Sequence, residues 1–251
     1  MAGALLAGPL VCATSQAVND WFDRHVDAIN EPLRPIPSGR IPGAWGLYIA
    51  IVWTLVSLCV AALLGVLVFV AACIGLVLAW AYSAPPFRLK QNGWWGAAAC
   101  ALSYEGITWF TGAAAVTQSL PDTKILILAG LYAAGAHGIM TLNDFKAEAG
   151  DRAMGIASLP VTLGAPMAAR VACAIMAVAQ VVVIAMLWRW GLTLSAGIVG
   201  ASLAAQLIFM RILLRDPQTK APWYNGTGVV LYVLGMLVSA IGIGTLGGSP
   251  A

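Results

Sequence analysis

Apolar stretches of about 20 residues recur along this chain, broken by short polar segments, and each is long enough for a helix to cross the hydrocarbon of a bilayer. That recurrence removes most folds at once. Backbone in lipid must satisfy its own hydrogen bonds, which leaves helices or closed barrels. Barrel strands alternate polar and apolar residues, and these stretches do not. Of 251 residues, 61% are hydrophobic and 9% charged, against about a quarter charged in an ordinary soluble domain. The expected architecture is an all-α, polytopic transmembrane helical bundle in a lipid bilayer, one domain over 1–251. It has about eight spans, at 2–28, 44–64, 66–83, 94–117, 123–144, 165–187, 191–212 and 225–246.

The breaks carry turn chemistry: Pro32, Pro35, Pro37, Gly39, Pro42 and Gly43 in one, Pro85 and Pro86 in another, then Pro217 and Pro222. The apolar start lacks the basic leading region of a secretory signal and runs directly into NDWFDRHVD, so it reads as a membrane helix. Five cysteines sit singly in apolar runs, without the paired spacing of a zinc or redox site. A net charge of +3 with no Lys/Arg block gives no footprint for nucleic acid. With loops assigned to alternate sides, the cations gather on one side and only Lys124 and Arg189 fall opposite. By the positive-inside tendency the basic side faces the cytoplasm.

The anomaly is acidic. Only ten acidic residues occur, and seven lie in two segments: Asp20, Asp23, Asp27 and Glu31, then Asp144, Glu148 and Asp151. At about 100° per residue, Asp20, Asp23 and Asp27 fall within an arc of roughly 60°. Asp144, Glu148 and Asp151 do the same if the helix continues that far, a condition that Gly150 weakens. A carboxylate inside a membrane helix costs about 2.5–3.5 kcal/mol at its centre, and like charges on one face repel. Such faces persist when a cation neutralises them. Magnesium takes carboxylate oxygens and substrate phosphates together, although calcium or protons would use similar residues. Arg34, Arg40, Arg88, Lys90, Lys146 and Arg152 lie on the same expected side, as phosphate recognition requires. A solvated helix end paired with neighbouring cations is the plainer account of each cluster.

There is an internal echo. Asn19-Asp20-Trp21 recurs as Asn143-Asp144-Phe145, and Pro35-Ile36 with Gly39 recurs as Pro160-Val161 with Gly164. It suggests two related halves that meet at one site.

The motif Asn19, Asp20, Asp23 and Asp27 resembles the first motif of the UbiA-type intramembrane prenyltransferases. The runs NDWFDRHVDAINEPLRPIPSGRI (19–41), YSAPPFRLKQNGWWG (82–96) and HGIMTLNDFKAEAGDRAMGIASLPVTLG (137–164) are similar to the chlorophyll and bacteriochlorophyll synthase family, the last closest to its bacterial branch. The resemblance implies a magnesium-dependent prenyltransferase, helical throughout. It would esterify the propionate of a (bacterio)chlorophyllide with a geranylgeranyl or phytyl group from its diphosphate, at a bacterial inner membrane with the site facing the cytoplasm. In that picture Asp20, Asp23, Asp27, Asp144 and Asp151, with Glu148, hold magnesium. Asn19 and Asn143 orient the bound group, and Arg34, Lys90, Lys146 and Arg152 grip the diphosphate. Tyr82, Ser83 and His137 are expected on the acceptor side, His137 as a candidate ligand for the pigment's magnesium. Pigment-biosynthesis or pigment-binding membrane proteins are candidate partners.

Two departures from the family accompany this. About nine spans are usual there, one more than expected here, and the helix before the first motif is expected to be absent. In DFKAEAGD the internal acid stands one residue early, at Glu148 with Ala149 following, a displacement of about 100° that makes Glu148 the weakest ligand. The competing readings are a prenyltransferase for a quinone precursor and, in another class, a cation-coupled transporter, which also places acids inside a helical bundle.

Overall fold

The chain folds as helices joined by short turns, and a computed structural model describes residues 2–247. The elements are α1 (Ala2–Leu5), a π turn (Leu6–Cys12), α2 (Ala13–Asn30), α3 (Trp45–Leu63), α4 (Val66–Ser83), α5 (Gly93–Ala101), a second π turn (Leu102–Ile107) and α6 (Thr108–Thr117). They continue with α7 (Thr123–Asn143), a 3-10 turn (Asp144–Ala147), α8 (Glu148–Ala153), α9 (Leu159–Leu163), α10 (Ala165–Arg189), α11 (Thr193–Leu213) and α12 (Pro217–Gly247). No strand occurs among the described residues.

Among the described residues six helical segments are individually long and apolar enough to cross a membrane. The expected stretches 2–28 and 94–117 are helical as well, but each is divided by a π turn. Pro9 lies inside the first of these turns. Proline has no N–H to give, which disturbs the α ladder, and the Pro9 carbonyl accepts a bond from Trp53 Nε1 at 2.9 Å. α12 begins about two turns earlier than expected, at Pro217, because Pro217 takes a starting position where its missing N–H costs nothing.

Two compact units result. One comprises the residues up to Lys90 together with Ile107–Pro121; the other comprises Gln91–Gly106 together with Asp122 onward. Leu6, Ala61, Val68, Ala72 and Ala114 form a buried cluster in the first unit, where the hydroxyls of Thr14 and Ser57 also meet at 3.4 Å. Outward residues of α3 such as Ile51, Val52 and Leu55 are exposed and apolar, as a surface wetted by lipid tails requires.

In the second unit α7 packs on α10, α5 and α12. A Cβ at Gly138 would stand 2.4 Å from the Ala172 carbonyl oxygen, so only glycine allows α7 and α10 this close. Gln180 and Gln206, both fully buried, exchange two amide bonds of 3.2 and 2.8 Å between α10 and α11. Tyr132 bonds Ser239 at 2.7 Å, and the Tyr232 hydroxyl donates to the Tyr132 carbonyl at 2.9 Å. These buried polar groups find partners on neighbouring helices, where lipid offers none.

Candidate active site

The first acidic cluster lies on the last three turns of α2. Past Asn30 the chain turns back at once: Glu31 N–H donates to the Asp27 carbonyl at 2.8 Å, and Arg34 N–H to the Glu31 carbonyl at 3.0 Å. This tight return carries Arg34 over the acids. Its Nη1 lies 3.1 Å from both Asp20 Oδ1 and Asp27 Oδ2, while its Nε donates to Glu31.

Asp23 faces elsewhere. It accepts from Lys90, whose side chain is 8% exposed, and has Arg88 Nη2 at 3.7 Å. Arg88 holds φ +42, a left-handed backbone that non-glycine residues adopt at a cost. Asn19 donates from Nδ2 to Asp23 at 2.9 Å and to the fully buried Ser83 hydroxyl at 3.2 Å. The expected single acidic face is therefore split, with Asp20 and Asp27 on Arg34 and Asp23 on Lys90 and Arg88. Burial pulls the Lys90 ammonium below the usual lysine range, against the raising effect of Asp23. Burial acts the same way on Arg34, but its bond to Glu31 and the charges of Asp27 and Asp20 outweigh it and raise the guanidinium.

The second cluster follows a broken helical path. α7 stops at Asn143 and Asp144 opens a 3-10 turn before α8 resumes at Glu148. A 3-10 turn advances about 120° per residue rather than 100°, so the shared α-helical face expected of Asp144, Glu148 and Asp151 is not built. Glu148 is tied to Arg152 at 3.0 Å, an i,i+4 pair on α8. Asp151 lies on α8, where its backbone carbonyl accepts from the Ile156 N–H at 2.9 Å. Lys146 is exposed. Asn143 accepts at Oδ1 from Asn225 Nδ2, 2.8 Å away.

The turn after this cluster is strapped to the start of α5. Gly93 N–H donates to the Ala157 carbonyl and Ala157 N–H to the Gln91 carbonyl, each at 2.9 Å. The side chain of Asn92 caps α5 by accepting from the amides of Trp94 and Trp95. His137 Nε2 lies 3.1 Å from the Trp94 carbonyl oxygen, its ring leans on the Trp94 indole, and its Nδ1 is enclosed. His137 therefore serves first as a link between α5 and α7. Ser83 likewise stands behind Asn19, and Tyr82 is half-buried beside it.

Among the described residues no three His, Cys, Asp or Glu side chains converge to form a ready metal cage. The donor set still suits a hard divalent cation. Two carboxylate oxygens from different turns already share one cationic nitrogen at equal distances, which marks the gap between Asp20 and Asp27 as a cation position. The residues that reading by acidic spacing passed over are amides on α12, Gln218 and Asn225. Their signal was available: polar amides in a long apolar helix are costly unless bonded.

The UbiA prenyltransferase family model matches residues 1–234. The bacteriochlorophyll synthase 33 kDa chain of Cereibacter sphaeroides is 61% identical over 241 residues, which is 96% of this chain and 80% of that one. The chloroplastic chlorophyll synthase of Oryza sativa subsp. japonica is 37% identical over 247 residues, 94% of this chain and 65% of that one. A UbiA homolog from Archaeoglobus fulgidus, solved bound to GPP and Mg2+, superposes with a TM-score of 0.71 at 19% identity, covering 95% of this chain and 87% of that one, a likeness of fold. The family match over nearly the whole chain, the helices long enough to span and the carboxylates on α2 and after α7 agree: this chain is an integral, multi-pass membrane protein of the UbiA prenyltransferase family.

Proposed function

We propose that the chain esterifies the propionate of a (bacterio)chlorophyllide with a geranylgeranyl or phytyl group from its diphosphate, as a bacteriochlorophyll synthase. The observation that carries the reading is the 61% identity to the bacteriochlorophyll synthase 33 kDa chain over almost the full sequence. The local chemistry agrees with it. A carboxylate oxygen of the acceptor bonds to C1 of the prenyl group as the C1–O bond to diphosphate breaks, and the electron pair leaves with diphosphate. The acceptor is already ionised near neutral pH, so no strong base is needed and positioning dominates.

Magnesium, when bound, neutralises the departing diphosphate and so eases ionisation of C1. Asp20, Asp23 and Asp27 on α2 would hold magnesium in the first unit, and Asp144 with Asp151 after α7 would do so in the second. Arg34 and Lys90 are the cations nearest the first set, each already seated on a carboxylate, and they would grip diphosphate oxygens. Arg152, paired with Glu148, and the exposed Lys146 would serve the second set. The gathering of basic loops on one expected side supports a site that opens to the cytoplasmic side of a bacterial inner membrane, where soluble diphosphates and magnesium are at hand.

Membranes containing the protein, incubated with geranylgeranyl diphosphate and magnesium, should yield the ester of bacteriochlorophyllide or chlorophyllide and nothing from homogentisate. Product on the quinone precursor alone would overturn the pigment assignment, and activity undiminished by chelation would overturn the metal.

A further inference from the structure

The residues on either side of Asp144 are each held by an amide from α12. Gln218 Nε2 donates to the Phe145 carbonyl at 2.9 Å, and Asn225 Nδ2 donates to Asn143 Oδ1 at 2.8 Å. Positions 218 and 225 are two helical turns apart and so share one face of α12. The grip falls where α7 ends and the 3-10 turn begins, a stretch without an unbroken α ladder to fix it. Phe145 is buried at 1% exposure, which anchors the turn's backbone between α7 and α12.

The second bond also decides which way the Asn143 amide faces. Its oxygen is taken by Asn225, so its NH2 is presented outward, with only the Met140 sulfur, a weak acceptor, at 3.9 Å. A phosphate oxygen is the partner such a donor suits. Asn225 keeps its own Oδ1 buried and without a hydrogen bond, a cost that two-sided packing amides avoid, as Gln180 and Gln206 do by bonding reciprocally.

We propose that Gln218 and Asn225 are positioning residues for the reaction: together they fix Asp144, and Asn225 turns the Asn143 amide so that its nitrogen meets the phosphate oxygens of the prenyl diphosphate. This rests on the reading of the second cluster as a holder of metal and diphosphate. Neither residue touches the reacting carbon, so their effect passes through Asp144 and Asn143.

The test uses the full chain in detergent, with Mn2+ and inorganic diphosphate as probes. Mn2+ binding is followed by electron paramagnetic resonance with diphosphate present, alongside the KM values for both substrates and the thermal midpoint. Gln218→Leu and Asn225→Leu should each weaken Mn2+-diphosphate binding about tenfold, and Asn225→Leu should raise KM for prenyl diphosphate while leaving KM for chlorophyllide unchanged. Asn225→Ser, which keeps a polar group in the helix but cannot span the bond, should behave like Asn225→Leu and remains readable if the leucine variants do not fold. Wild-type affinity in the variants, or a loss that follows only the fall in folded protein, would overturn the inference. A wild-type chain that binds Mn2+-diphosphate yet forms no pigment ester would instead overturn the proposed function and leave the positioning role standing.

Discussion

Arg34 Nη1 stands 3.1 Å from Asp27 Oδ2 and at the same distance from Asp20 Oδ1, so one guanidinium bridges two acids from different turns of α2. The bridge gives Arg34 two roles. It neutralises the acids here, and under the proposed function it would serve as a phosphate fork once magnesium takes those carboxylates. Arg34→Gln should therefore raise KM for the prenyl diphosphate by about tenfold or more, and lower the thermal midpoint of the metal-free protein more than that of the magnesium-loaded protein. An equal drop in both states, with KM unmoved, would confine Arg34 to a structural pair. Steady-state rates and differential scanning fluorimetry, each with and without magnesium, separate the two.

Asp20→Asn, Asp23→Asn and Asp144→Asn each remove one charge and keep the side chain's shape. Turnover is expected to fall at least about a hundredfold in each, the scale of losing an electrostatic contact to developing charge, with membrane insertion retained. Glu148→Gln should cost far less, because Glu148 is committed to Arg152 on α8. A Glu148→Gln loss equal to that of Asp144→Asn would show that the exchange with Arg152 opens during the reaction.

Lys90 and Asp23 form the most enclosed ion pair among the described residues, at 8% and 18% side-chain exposure. Removing one partner strands a charge in a poorly solvated place, so Lys90→Met should destabilise by about 3 kcal/mol or somewhat less, with Arg88 partly compensating. Lys90→Met combined with Asp23→Asn should regain stability but not activity. Chemical unfolding of the three proteins in one detergent measures the difference. A double variant no more stable than the single one would show that the pair is not the source of the loss.

The buried amide exchange between α10 and α11 offers a stability test away from the chemistry. Gln180→Leu should cost about 1–2 kcal/mol, since it leaves the Gln206 amide without its partner. Gln180→Leu with Gln206→Leu should be close to wild type, and activity should persist throughout. A double variant less stable than either single one would overturn this account.

Much of the fold is legible in the sequence itself. Helices α3, α4, α7, α10 and α11 fall within a few residues of the expected spans, because length and apolarity alone dictate a membrane helix. The placement of Asp20, Asp23 and Asp27 on one helix followed from their spacing, whereas the doubt over Glu148 came from the family resemblance, in which the internal acid stands one residue later. Other features were hidden because they depend on backbone detail that periodicity does not encode. The π turn around Pro9 and the 3-10 turn at Asp144 each change the angle per residue, and with it which side chains share a face. The alignment of Asp144, Glu148 and Asp151 failed for that reason.

The linear order of residues determined that this protein lives in a bilayer, that its acidic residues are concentrated in two segments, and which family it belongs to. Those properties reside in composition, hydrophobic length and motif, all of which are local. Tertiary structure alone decided which cation answers which acid. Arg34 returns to Asp20 and Asp27 through a tight turn, Lys90 arrives at Asp23 from beyond α4, and Asn225 reaches Asn143 from the last helix. Pairing between residues far apart in sequence follows from helix packing and the direction of each side chain, and no local pattern of residue types carries that information.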